Sequence, residues 1–159
     1  MVQKSFLEQI SKLTSLQSLR LNSLRINNLN KLSRLDNLKN LVLFYCEGLD
    51  QNLQIPHNLA GLKRLVIRTT SHSKVKKVIF PKGCQTHTLT IENTEMTSLD
   101  KSLEYLENLQ LLHLAGNKLS KLTLDKSKFK KLKLIALQGN PIDNIESLRE
   151  KYVHIDIKY

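Results

Sequence analysis

The sequence has no tryptophan, and aromatic residues make up only 5% of it. A core of ordinary size must then be built from aliphatic side chains, and leucine is the one in supply. Proline and glycine are equally scarce, at 3 and 5 residues of 159, which argues against long disordered linkers. Two cysteines, Cys46 and Cys84, are too few for a disulfide framework and suit a reducing compartment. No run of 18 apolar residues exists, so no membrane-spanning helix is expected. The first residues, MVQKSFLEQISKL, lack the apolar stretch and small-residue cleavage site of a secretory signal. The expected setting is cytoplasmic, or the host cytosol if the protein is an exported effector.

The sequence is also poor in the patterns that carry chemistry. The five glycines are too dispersed to cradle a phosphate, and no serine sits in a G-x-S-x-G elbow. The histidines, His57, His72, His87, His113 and His154, form no H-x-x-x-H pair. Cys84 and His87 are three residues apart with no second pair to complete a metal site. The sequence therefore predicts no enzyme, no metal and no cofactor.

What is present is a spacing. In LQLLHLAGNKL, leucines fall at 109, 112, 114 and 119 with an asparagine at 117. The template L-x-x-L-x-L-x-x-N-x-L recurs at Leu132, Ile135, Leu137, Asn140, Ile142 and at Leu16, Leu19, Leu21, Leu24, Ile26. Looser copies begin at Leu38, Leu62 and Thr86, and a partial one reads Tyr152, Ile155, Ile157. The fourth template position falls at 19, 41, 65, 89, 112, 135 and 155, a period of 20 to 24 residues. This pattern resembles the leucine-rich repeat family over nearly the whole chain. Its Lys- and Asn-rich, irregular repeats are similar to those of bacterial and protist members.

The physical reading agrees. Each repeat supplies one short parallel strand whose fourth and sixth template positions point inward. Leu29, Leu32, Leu35 and Leu38 recur every three residues, which suits a 3₁₀-like return. The resemblance implies an α/β solenoid, an arc with one curved parallel sheet on its concave side and 3₁₀ or short helical returns on its convex side. The whole chain, 1–159, is read as one domain: a helical cap over 1–15, about six repeats over 16–142, and a C-terminal cap with a last strand over 143–159. In the first cap Phe6, Ile10 and Leu13 form the apolar stripe, with Lys4, Glu8 and Lys12 on other faces. At the ninth template position a side chain must satisfy backbone groups left inside the turn. Asn117 and Asn140 suit that ladder, and Cys46, Thr70 and Thr94 are expected as weaker substitutes, whereas Leu24 cannot contribute.

Two surface features point to function. Side chains at template positions 3, 5, 7 and 8 leave the core face. Among them Val42, Phe44, Tyr45 and Val66 form an apolar group, with Arg20, Arg64 and Arg68 around it and His113 further along. Aromatics ringed by arginine are the composition of protein-binding hot spots. Arg68 could instead simply pair with Glu92 across strands. The second feature is basic. Net charge is +11, and Lys118, Lys121, Lys126, Lys128, Lys130, Lys131 and Lys133 face only Asp125 in their segment. Lys74, Lys76, Lys77 and Lys82 form a similar run. The reading that results is a non-enzymatic module binding a protein partner through the concave face. The alternative is an electrostatic adaptor for anionic membrane or nucleic acid, acting through the lysine flank.

Overall fold

The structure, a computed structural model, describes residues 2–70 and 73–159, with side chains from residue 6 onward. His72 and the Lys4 side chain lie outside the described residues. Helix α1 spans Val2–Ile10. The strands are β1 (Ser18–Asn22), β2 (Asn40–Phe44), β3 (Asn52–Gln54), β4 (Arg64–Arg68), β5 (Lys77–Ile79), β6 (Thr88–Glu92), β7 (Leu111–His113), β8 (Leu134–Ala136) and β9 (Asp156–Lys158). Helix α2, Ile145–Lys151, precedes the last strand.

Seven strands form one parallel sheet in the order β1-β2-β4-β6-β7-β8-β9. The register pairs Leu19, Leu41, Leu65, Leu89, Leu112 and Ile135 across consecutive strands. Every one of these side chains is buried, as are Leu21, Leu43, Ile67, Ile91 and Leu114 two residues on. A buried leucine contributes roughly 1.5–3 kcal/mol, so the repeated pair per strand is the main source of cohesion. At the entry to β2, β4, β6, β7 and β8 one carbonyl accepts two amides of the next repeat: Lys39 O takes Lys63 N and Arg64 N, and His87 O takes Gln110 N and Leu111 N.

The last register differs from the sequence expectation. Ile135 pairs with Ile157, not with Ile155, and Lys133 O accepts Asp156 N. Both isoleucines fit a two-residue alternation. The chain leaving α2 takes up the additional residues, with Ile155 N donating to Tyr152 O.

The returns use short 3₁₀ turns at Asn30–Leu32, His57–Gly61 and Lys101–Tyr105. They also contain an element the sequence did not suggest: β3 and β5 form a separate two-stranded parallel sheet, pairing Leu53 with Val78. In α1 the buried side chain is Leu7, with Ile10 packed against the core; Phe6 and Leu13 are exposed. The expected stripe is thus rotated by one residue, because Leu7 and Ile10 are the pair three apart that meets the body.

Candidate functional site

The turn that ends each strand decides what the sheet displays. Just past the strand, the amide at this template position still donates to the next repeat: Ser23 N to Phe44 O, Tyr45 N to Arg68 O, Asn93 N to Ala115 O and Gly116 N to Gln138 O. The chain then turns sharply inward, and Ser23, Tyr45, Asn93, Gly116 and Gly139 all take positive φ, between 52° and 71°. Glycine and asparagine do this at little cost. A tyrosine does not, and Tyr45, at φ 52°, is the bulkiest side chain in the column. The eighth template position is thus a left-handed turn as well as a surface position. Gly116 and Gly139 in that column were the signal for it.

Inside the turn the ladder is present in graded form. Asn117 Nδ2 donates to Ile91 O and Leu114 O, and its Oδ1 accepts Thr94 N and Thr94 Oγ1. Asn140 repeats this with Leu114 O, Leu137 O and Leu119 N. Cys46 Sγ reaches the equivalent carbonyl, Leu21 O, at 3.6 Å. The third repeat departs from expectation: Thr70 is exposed, and the buried hydroxyl is that of Thr69, which bonds Asn93 O. Around Leu24 the backbone substitutes for a side chain, with Glu47 N donating to Leu24 O and Ile26 N to Glu47 O.

On the solvent face, Phe44 is half-buried between two cations. The Arg20 guanidinium lies 4.5 Å from its ring centre and that of Arg68 5.4 Å. Tyr45 follows, 48% exposed, with its ring centre 6.2 Å from that of Phe44. Arg68 is also paired with Glu92, both Nε and Nη2 lying 2.6 Å from Oε2. The cross-strand pairing weighed from sequence therefore coexists with contact to the aromatic ring. Among the described residues Arg20 forms no such ion pair.

The remaining expected site residues are dispersed. Val42 and Val66 align side by side but are buried, at 8% and 2% exposure. They floor the face instead of presenting an apolar patch, because long neighbours on both sides of a packed sheet cover short β-branched chains. Arg64 is exposed but four residues back along β4 from Arg68, about 13 Å away. His113 is half-buried and stands three strands and two residues of register from Phe44, about 16 Å off. The structure brings together Arg20, Phe44, Tyr45 and Arg68, with Glu92 completing the row.

Cys46 and Cys84 are both buried free thiols, and burial pushes the Cys84 thiol up to about 11. Among the described residues no three His, Cys, Asp or Glu side chains come together as metal ligands. Among the same residues no helix is long and apolar enough to cross a membrane.

A parallel sheet built one strand per repeat, with leucine inside and an asparagine ladder at its turns, is the leucine-rich repeat fold. A solved leucine-rich repeat protein of Leptospira interrogans has a similar structure, with a TM-score of 0.51 at 20% identity over 96% of this chain. The chain spans 51% of the length of that protein. No family model matches the sequence, and no curated protein does.

Proposed function

We propose that the protein is a non-catalytic interaction module that binds a protein partner through the solvent face of the sheet at β1, β2 and β4. This face is taken as the concave side of an arc, with α1 and α2 as end caps. The observation that carries the reading is the Phe44 ring held between Arg20 and Arg68 beside a tyrosine in left-handed conformation. Rigid strands hold these groups, so little side-chain freedom is lost on binding. Phe44 and Tyr45 supply apolar contact. Arg20 offers its guanidinium to partner carboxylates or carbonyls, while Arg68 is held in place by Glu92.

The free thiols suit a reducing setting, so cytosolic extract is the place to seek the partner. A bacterial effector acting in a host cytosol would meet its partner under the same conditions. The test is capture from such an extract with the intact protein and with Phe44→Ala, at low and physiological salt. A partner retained at both salts and lost with Phe44→Ala supports the proposal. Steep loss with salt and indifference to Phe44→Ala would favour the lysine flank and an anionic surface instead.

A further inference from the structure

Helix α2 and the segment before β8 enclose a second feature, remote from Phe44. An open groove of about 170 Å³ lies between them, floored by Phe129, Leu132, Tyr152 and Ile155. Val153, 69% exposed, stands at its mouth. Every charged or titratable group of its rim is a potential cation: Lys126, Lys130, Lys151 and His154. No carboxylate lines it.

The cations are positioned rather than dispersed. Tyr152 is buried, and its hydroxyl is fixed by Leu124, donating to the carbonyl and accepting the amide. Its ring carries the Lys126 ammonium at 5.7 Å and the Lys151 ammonium at 5.1 Å. Lys151 also donates to Leu124 O at 3.3 Å. Attraction to the ring thus ties both ammonium groups to Tyr152, at the edge of the groove. An ammonium has three donors, so Lys151 retains two beyond the Leu124 contact. Asp125 does not line the groove: its carboxylate accepts Ser127 N at 2.9 Å, and that hydrogen bonding, with Lys128 and Lys151 nearby, holds its carboxyl below the usual range.

We propose that this groove binds an acidic peptide segment of a partner protein, one apolar side chain entering between Phe129 and Tyr152 while flanking carboxylates meet Lys126, Lys130 and Lys151. Charge complementarity selects the acidic partner. Size selects a side chain over an acyl chain, since a cavity of about 150 Å³ holds one benzene-sized ring. The site shares no residue with the proposed face at Phe44 and stands or falls separately from it.

The experiment is amide-resolved NMR titration of the intact protein with an acidic pentapeptide carrying a central phenylalanine. An alanine-centred version and phosphatidylserine vesicles serve as the other arms. Saturable shifts centred on residues 124–132 and 151–155 are expected. Affinity should fall about fivefold or more with Lys151→Ala and with the alanine-centred peptide, and further with Val153→Asp, which places a like charge at the mouth. Val153 is exposed, so that last variant keeps its fold. The proposal is overturned by absent or dispersed shifts, by shifts indifferent to Val153→Asp, or by vesicles binding through the same lysines while the peptide does not.

Discussion

Arg20 and Phe44 meet across adjacent strands and two residues out of register, the guanidinium carbon 4.5 Å from the ring centre. The contact covers part of a ring that a flat strand would leave open. Phe44→Ala should therefore cost about 2 kcal/mol of stability, for partial burial and two exposed cation–π contacts. It should cost about 2 kcal/mol or more of binding to the captured partner. Chemical denaturation and calorimetric titration on one preparation separate the two. A stability loss in the range of about 3–5 kcal/mol with affinity intact would make Phe44 a core residue.

Tyr45 carries a backbone cost that its exposure does not offset. A left-handed conformation is unfavourable by about 1–2 kcal/mol for a residue with a side chain. Tyr45→Gly should raise stability by about 0.5–1 kcal/mol after the extra entropy of glycine in the unfolded chain, and should weaken partner binding. Thr69 occupies the matching position without positive φ and donates to Asn93 O. Thr69→Gly should therefore destabilise. Thermal midpoints of the two variants moving in the same direction would contradict this account.

Asn117 holds two carbonyls and accepts from Thr94, all out of contact with water. Asn117→Ala should cost about 1–3 kcal/mol, and Asn140→Ala a similar amount. Lys126→Ala, on the exposed return, should cost less, about 0.5 kcal/mol for one exposed cation–π contact. Urea midpoints decide the matter, and equal losses in all three would defeat the ladder.

A further pair tests the turn column. A Cβ on Gly116 would stand 2.1 Å from Asn93 Oδ1, whereas one on Gly139 meets nothing nearer than 3.6 Å. Both glycines have positive φ, so both alanine variants lose about 1 kcal/mol. Gly116→Ala should lose more, and adding Asn93→Gly should recover the difference. Failure of that second change to help would place the cost elsewhere.

Cys84 gives a prediction in pH. Its thiol is raised from 9.0 to about 11 by burial. The folded state keeps the proton that the unfolded chain releases, so this contribution to stability is complete below pH 9 and is lost as pH rises through 11. Replacing Cys84 with alanine should flatten the decline in melting temperature across that window. At pH 8 the native thiol should resist alkylation until the chain is unfolded.

Six strand registers were legible because a leucine or isoleucine recurs wherever the strand faces inward. The seventh was ambiguous, since Ile155 and Ile157 have the same parity and only the exit from α2 decides between them. Parity also marks which side chains leave the core, but not which remain uncovered: Val42 and Val66 point outward and are still buried. Arg20 and Phe44 come together through the reach of a long side chain along a diagonal, which residue spacing does not encode. In the third repeat the buried hydroxyl is that of Thr69, which does not take the positive φ of Ser23, Tyr45 and Asn93, a backbone property that threonine does not announce.

The grading of the ladder has a consequence for motion. Asn117 and Asn140 tie the later repeats together, while Cys46 offers a long sulfur contact and Leu24 only backbone. A stack whose neighbours alone hold each layer frays from its weakest joint, so amide exchange should be fastest in the early repeats and slowest around 112–142. The aromatic residues at Phe44 and Tyr45 sit on the faster-opening half. A partner seated there would act as a splint, and its binding would register as slowed exchange several repeats from any residue it touches.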